Sequence, residues 1–412
     1  MNHLRSLFII SSKKAFFILL CLLWGYQCVF RFGTVFLNRF QGIGDIVSIV
    51  VLVVLILLSL SYILKWVKVK DVLIGGIVLL VSLLTVLINA EATEAFNELC
   101  FPFLTQFFVM YYVGLALYYL VRDDSHYLKY FEYVSIASII IITLVYRSTS
   151  AGFSAEWESI QYIPYWLLPH LLLLLTCLFE KFSLLELIVL IYGFGNLIMF
   201  GNRGSTVCFL ALLLMMLIIH TWQMKSKKKF IVISLLALLI IIVWFTDLYE
   251  MGIMALYQYA LSHDMSTRVF QTFLGDYTAG VSFDSGRLDL QKKLVEFLLK
   301  NPFGYGLGSD RYFVGQYTHN LFLEIVFELG VIPGSVIIIG IVVCLVNGFK
   351  RSVNCYELIR DFFLLLFCIG FIKLFISGSY LSDPYLYMLL GLAVSMNRNK
   401  NFNYNTVEDK NE

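Results

Sequence analysis

Long apolar segments alternate with short polar ones along almost the whole chain. A hydrocarbon layer about 30 Å thick is crossed by roughly 20 helical residues, and segments of that kind occur about twelve times here. The pattern predicts transmembrane helices near residues 15–30, 43–64, 71–89, 101–121, 131–146, 161–179, 183–200, 204–222, 230–246, 330–348, 358–377 and 384–396. The expected fold is therefore an all-α, polytopic integral membrane protein.

Composition agrees with this prediction. Of 412 residues, 60% are hydrophobic and 14% charged, and the mean hydropathy is +0.83, which exceeds what a soluble core needs. The net charge of +2 includes no basic block that would favour nucleic acid as a partner. The N-terminal segment resembles a signal peptide, but no small-residue cleavage site follows it, so we interpret it as a retained first helix.

Lysine and arginine concentrate in alternate loops, which indicates the orientation of the chain. With the N-terminus inside, both termini are cytoplasmic, and the long connection late in the chain is external. This predicts a bundle of about nine spans, a large external loop with amphipathic helices, about three further spans and a cytoplasmic tail. The respective ranges are 1–246, 247–327, 328–396 and 397–412. Within the loop, "GRLDLQKKLVEFLLKN" predicts an amphipathic helix that ends at Asn301-Pro302, with Leu288, Leu290, Leu294, Phe297 and Leu298 on its apolar face.

The stretch "THNLFLEIVFELG" places His319 at the predicted start of a helix, with Thr318 as its N-cap and Gly330 and Pro333 breaking it. A helix N-terminus disfavours imidazolium, so His319 is expected to stay neutral and able to accept a proton. Asn320, Glu324 and Glu328 follow at i, i+4 spacing on one face. The alternative is that His319 only caps an interfacial helix and the glutamates face water.

Three arginines are predicted on the external side, where they could bind a pyrophosphate. Arg203 interrupts an apolar stretch in "GNRGS", Arg287 follows Gly286, and Arg311 follows the glycine-rich "NPFGYGLGSD". That glycine segment favours a plain turn unless the backbone must approach a ligand. Lys373 is expected to snorkel outward or to neutralise Glu324 or Asp383. The external sequence shows no carboxylate or His/Cys set at metal-ligand spacing, so no metal site is predicted.

Between Ser285 and Gly334 these residues resemble a known pattern. Ser285-Gly286-Arg287, an amphipathic helix, "NPFGYGLGS" and "THNLFLEIVFELGVIPG" are similar to the signature region of bacterial O-antigen and capsule repeat-unit polymerases (Wzy type) and of the related O-antigen ligases. Arg203 resembles the family's second arginine, although Asn202 stands where members often have serine. The resemblance implies a GT-C-like membrane enzyme of the bacterial cytoplasmic (inner) membrane with its active site on the periplasmic face.

The resemblance also implies a reaction without a cofactor, in which a growing glycan moves from undecaprenyl pyrophosphate to a sugar hydroxyl of a new lipid-linked repeat. His319, Arg203 and Arg287 would be catalytic. The implied substrate-binding residues are Arg311, Asn320, Glu324, Gly286 and Gly306. The implied partners are the lipid-linked oligosaccharide, the bilayer and a candidate chain-length regulator. Two alternatives remain open: an O-antigen ligase that acts on another acceptor such as lipid A core, and a lipid-linked oligosaccharide flippase or transporter.

Overall fold

The computed structural model describes residues 12–25, 43–88, 93–123, 127–150, 163–199, 203–223, 248–262, 287–353, 355 and 357–399. Every regular element in these ranges is helical, as the apolar periodicity predicts. The predicted span at 230–246 lies outside the described residues, as do residues 263–286 of the predicted external loop. The count of twelve spans therefore remains a prediction.

The α-helices follow the apolar segments closely. In chain order they are α1 (12–25), α2 (Ile43–Leu64), α3 (Val69–Ile88), α4 (Thr93–Asp123), α5 (Tyr127–Ser150), α6 (Ile163–Glu180), α7 (Leu184–Met199), α8 (Arg203–Gln223), α9 (Leu248–Ser262), α10 (Arg287–Lys300), α11 (Ser309–Val314), α12 (Leu321–Leu329), α13 (Val331–Ser352), α14 (Glu357–Leu366) and α15 (Pro384–Arg398). A π-helical turn, Phe367–Phe371, and a 3₁₀ turn, Ile372–Phe375, continue α14.

Among the described helices, four are long and apolar enough to cross a membrane: Phe96–Arg122, Ile163–Glu180, Gly204–Trp222 and Val331–Ser352. Val50–Leu64 and Leu184–Ile198 are shorter apolar helices. Many of their large apolar side chains are exposed, for example Leu57 and Ile339 at 64% and 61%. Such faces suit contact with lipid, where exposed apolar surface carries no penalty. The protein is therefore a membrane protein with transmembrane helices.

The chain divides into two compact units, residues 1–131 with 286–412 and residues 132–285. In the second unit α6, α7 and α8 pack together. The rings of Phe194 and Phe209 stack with centroids 4.4 Å apart, and His170 of α6 is buried with Nδ1 3.2 Å from the Ser135 hydroxyl. His170 is thus a hydrogen-bonded core histidine.

Two closely packed helices, α4 and α15, form the centre of the first unit. A Cβ added at Gly391 would lie 2.1 Å from the Tyr111 carbonyl oxygen. One turn further along, the Ser395 hydroxyl donates to the Leu115 carbonyl at 2.9 Å. The contacting positions advance together along both helices, so α4 and α15 are parallel. Small residues permit this close approach, as is common between membrane helices.

Basic residues gather at the C-terminal ends of α4 and α15. Arg398 forms a two-pronged ion pair with Asp71, which is fully buried at the start of α3. The guanidinium of Arg122 lies 5.0 Å from the Tyr119 ring centroid, and Trp66 stacks on that ring at 3.5 Å. Asp71, Tyr119 and Arg398 therefore lie at one end of this unit. The orientation of that end in the membrane remains a prediction.

The amphipathic helix predicted in the external loop is α10, and Lys300 ends it directly before Asn301-Pro302. Leu290 and Leu294 are buried and pack with Phe327 of α12. Leu288 was placed on the same apolar face, but it is 57% exposed and does not share the burial of Leu290 and Leu294. At about 100° per residue, Leu288 lies nearly opposite Leu290 on the helix, so the two side chains face different directions.

Candidate functional site

Segments from two regions of the chain meet at the N-terminal end of α4, opposite the basic end. They are residues 287–329 and the loop 376–383. Gly308 contacts α4 directly, because a Cβ there would lie 3.5 Å from the Phe96 Cα. Leu307, Leu321 and Leu381 join the core cluster that surrounds Phe96. This packing brings together several of the residues singled out in the sequence.

The glycine-rich segment 301–308 closes the C-terminal end of α12. Gly304, Gly306 and Gly308 all have positive φ, at 90°, 92° and 75°, which glycine adopts without steric cost. The backbone N–H groups of Tyr305 and Gly306 donate to the carbonyls of Phe327 and Glu328 at 3.0 and 2.8 Å. The segment is thus a turn that caps α12, and the predicted role of Gly306 in substrate binding gains no support from these contacts.

Helix α12 begins later than the sequence predicts. Its N-cap is Asn320, whose Oδ1 accepts from the N–H groups of Phe322 and Leu323 at 3.1 and 3.2 Å. Thr318 is therefore not the N-cap. Its N–H and hydroxyl both donate to Asp310 Oδ2, at 2.9 and 3.0 Å. Gly330 does separate α12 from α13, whereas Pro333 lies in the first turn of α13, where proline is tolerated.

His319 occupies the turn between Thr318 and Asn320. Its φ is +56°, and it is the one non-glycine residue with positive φ in the described part of the chain. The imidazole packs on Tyr317 with ring centroids 4.1 Å apart. Its Nδ1 is buried without a hydrogen-bond partner among the described residues. Buried polar atoms are almost always satisfied, so this nitrogen is a candidate for a hydrogen bond with a bound group.

The electrostatic environment keeps His319 neutral. Burial and, as the smaller cause, the positive charge of Arg287 together lower the pKa of its imidazole to about 4. The neutral state therefore agrees with the expectation from the sequence, but burial and Arg287 are its causes here. Arg287 begins α10, is half-buried, and donates from Nη1 to the Ile376 carbonyl at 2.6 Å. A cation and a neutral imidazole thus share one site.

Behind this turn, three buried carboxyl groups form an acid cluster, defined as Asp310, Glu324 and Glu328. One oxygen of each lies within 4.8 Å of the others. The expectation that the external segments hold no carboxylate cluster is therefore wrong. Helices α11 and α12 fold against each other and bring these distant positions together. The glutamates are 0% and 2% exposed, so the alternative in which they face water is also wrong.

Protein donors already occupy most oxygens of the acid cluster. Asp310 accepts from Thr318 and from the N–H and Nη1 of Arg311 at 2.9 and 3.2 Å. Glu328 accepts from the Gly308 N–H at 2.7 Å and from the Tyr380 hydroxyl. These donors compete with a cation for the same oxygens, although the geometry could offer it ligand atoms. Within the cluster, Glu324 Oε2 is the oxygen that is buried without a partner among the described residues, so it can carry a proton.

The pKa values of the cluster agree. Burial, followed by the Asp310 carboxylate, raises the pKa of Glu324 to about 8. Burial also raises the pKa of Glu328 well above its ordinary value, with the neighbouring carboxylates acting in the same direction. The pKa of Asp310 is raised by burial, against the opposing effect of Arg311. Near neutral pH the cluster therefore retains protons.

Arg311 compensates the charge of the acid cluster. Its Nη1 lies 3.2 Å from Asp310 Oδ1 and 3.8 Å from Glu324 Oε1, and its guanidinium carbon lies 5.8 Å from the Tyr317 ring centroid. These contacts favour charge compensation over capture of a pyrophosphate. The role of Arg311 in substrate binding remains a prediction.

The loop 376–383 completes the site, and reasoning from the sequence missed it. Ser379 donates its hydroxyl to Glu324 Oε1, and Tyr380 donates to Glu328. Lys373 pairs with Asp383, which is one of its expected partners. In the sequence, this loop is the short stretch "SGSYLSDP", which contains no basic residue. The signal available was two adjacent hydroxyl side chains flanked by a lysine and an aspartate.

Two predicted site residues are not brought to this place by the described structure. Gly286 lies outside the described residues. Arg203 is the first residue of α8 in the second unit, and its side chain is outside the described part. Asn320, predicted to bind substrate, has the N-cap role given above, and Glu324 belongs to the acid cluster.

Comparison with known proteins gives a similarity to one family over part of the chain. The sequence model of a family described as O-antigen ligase matches residues 188–339, which include Arg203, Arg287 and His319. The similarity supports an enzyme of glycosyl transfer that acts on lipid-linked glycans at a membrane. More particularly, it supports the family of O-antigen ligases and polymerases, although it does not distinguish between them. No curated protein and no solved structure matches the chain.

Proposed function

We propose that this protein polymerises lipid-linked oligosaccharide repeats into a surface polysaccharide, O-antigen or capsule. It would transfer the growing glycan from undecaprenyl pyrophosphate to a sugar hydroxyl of a new lipid-linked repeat. The observation that carries the proposal is His319: a neutral imidazole with an unpartnered buried nitrogen, held in a strained turn beside Arg287. Strained, unsatisfied residues of this kind concentrate at functional sites.

In this reaction His319 acts as general base. It accepts the proton of the acceptor hydroxyl as that oxygen bonds to the anomeric carbon of the donor glycan. The bond from the anomeric carbon to the pyrophosphate oxygen breaks, and undecaprenyl pyrophosphate leaves with the electron pair. A base must be unprotonated to act, and the lowered pKa of His319 provides this at neutral pH.

Arg287 stabilises the negative charge that develops on the departing pyrophosphate. It is half-buried at the start of α10, and its charge contributes to the lowered pKa of His319, which supports a place beside the proposed base. A preoriented cation in a site shielded from water is worth more to a transition state than one in bulk solvent. Arg203 is proposed as a second arginine that takes part in the reaction, on the strength of the motif and of its place within the matched region.

The decisive experiment compares His319→Ala, Arg287→Ala and Arg203→Ala with wild type in cells deleted for the gene. We expect each variant to insert in the membrane at normal levels and to lose long surface polysaccharide on a gel. Arg351→Ala is the matched control, because Arg351 lies in the last turn of α13, at the end of that helix opposite Gly330. Intact chain-length ladders in all three variants would refute the assignment.

The second candidate function is ligation of finished glycan to a different acceptor such as lipid A core. The description of the matching family as O-antigen ligase favours it. The deletion phenotype separates the two activities. Loss of a polymerase leaves single repeats on the final acceptor, whereas loss of a ligase leaves long chains on the lipid carrier. Bound chain-length regulator, sought by affinity purification from membranes, would favour the polymerase.

A further inference from the structure

Asp310 makes contacts that a residue used only for charge balance would not need. It is 0% exposed, and one of its oxygens accepts from both the N–H and the hydroxyl of Thr318. Thr318 is the residue directly before His319. The contacts therefore attach the turn that carries the proposed base to the buried start of α11.

The backbone of His319 needs such an attachment. A non-glycine residue with left-handed φ is strained relative to right-handed geometry, and it persists where its surroundings hold it. On the C-terminal side, Asn320 caps α12 with its side chain. On the N-terminal side, the hydrogen bonds from Thr318 to Asp310 fix the residue that precedes His319. His319 is therefore held from both sides.

We propose that Asp310 is a positioning residue, which acts through Thr318 to hold His319 in its left-handed turn. The inference rests on the proposed role of His319 as general base. Without Asp310 the turn would relax toward right-handed geometry, and the imidazole would leave its packing on Tyr317. A base displaced by about 1 Å is expected to lose roughly 10²-fold in rate.

The acid cluster suggests a competing explanation, in which Asp310 only stabilises the fold. Both explanations predict that Asp310→Ala lowers the amount of folded protein. The two explanations give different predictions for the activity of the variant protein that does fold. Positioning predicts a fall in kcat with little change in KM, because only the proposed base is displaced. It also predicts that the acidic limb of kcat/KM moves toward higher pH, since a freed imidazole is better solvated.

The test uses full-length protein in lipid nanodiscs, with lipid-linked oligosaccharide extracted from cells deleted for the gene. We expect Asp310→Ala to lose about 10²-fold in kcat. Thr318→Val removes the hydroxyl at nearly constant volume and should lose less, while Thr318→Ser should restore activity. Leu294→Ala is the stability control: it opens a buried cavity between α10 and α12 and should leave the acidic limb unchanged.

Wild-type kcat and an unmoved acidic limb in both Asp310→Ala and Thr318→Val would overturn the inference. If Asp310→Ala does not fold, the comparison of Thr318→Val with Thr318→Ser decides alone: equal activity overturns it, and loss in valine only supports it. Failure of the proposed function is seen separately, because His319→Ala would then be as active as wild type.

Discussion

The pH dependence of the reaction tests the role of His319 most directly. An ordinary histidine has a pKa of 6.5, whereas burial and Arg287 lower that of His319 to about 4. At pH about 5.5 the neutral fraction is then about 97%, compared with about 9% for an unperturbed imidazole. Because a general base acts in its neutral form, the two cases differ about tenfold in rate at that pH.

The sign follows from the direction of the shift. A lowered pKa keeps the imidazole neutral as the pH falls, so kcat/KM should stay level from about pH 8 to about pH 5 and then decline. The assay measures initial rates with extracted lipid-linked oligosaccharide in nanodiscs across this range. Size-exclusion chromatography at each pH checks that the protein remains folded.

Arg287 provides the matched perturbation. Arg287→Lys keeps the positive charge and should leave the acidic limb near its wild-type position. Arg287→Met removes the charge, so the pKa of His319 should rise part of the way toward its ordinary value, since burial is the larger cause and remains. The limb in Arg287→Met should therefore move upward, on a lower overall rate. If kcat/KM of the wild-type protein fell to half its plateau near the ordinary histidine pKa, this account of the base would be refuted.

Two further predictions concern the framework around the site, and both are measured as shifts in thermal or denaturant midpoint in one detergent. Gly304→Ala places a Cβ 2.4 Å from a backbone nitrogen at a φ of 90°. It should therefore destabilise the protein more than Gly315→Ala, because Gly315 has a φ of 74° but open space around it, and its substitution should cost only about 1–2 kcal/mol. Equal midpoints for the two variants would contradict the close backbone approach at Gly304. Tyr380→Phe leaves a buried oxygen of Glu328 without its donor and should cost about 1–3 kcal/mol. An unchanged midpoint would show that the hydrogen bond contributes nothing to stability.

The sequence pattern predicts a structural feature correctly where residues of a single helix determine it. The amphipathic spacing of α10 and the break at Gly330 were both predicted from neighbouring residues, and both are confirmed. The N-cap of α12 was not, because Thr318 and Asn320 are both good caps. The choice between them depends on Asp310, whose hydrogen bonds withdraw Thr318 from capping. That contact is tertiary, so it is invisible to helix-capping rules.

The acid cluster shows a stronger limit of the same kind. Spacing along the chain can reveal carboxylates on one helix face, and Glu324 and Glu328 were recognised as such a pair. It cannot reveal that Asp310 folds back against them, or that hydroxyl donors arrive from another loop. From the sequence alone, two glutamates next to an apolar segment are therefore compatible with exposure to water. Their burial follows from the tertiary packing around α12.

The site also extends beyond the region that the family match recognises. That match ends at residue 339, yet Ile376 accepts from Arg287, and Ser379 and Tyr380 donate to the two glutamates. These pairs are separated by 89, 55 and 52 residues. The loop 376–383 therefore orients the proposed catalytic arginine and binds α12 without contributing to the recognisable motif. It follows that chains can share the motif and still differ in how firmly the arginine is held, and that substitutions in this loop should change activity while leaving the motif intact.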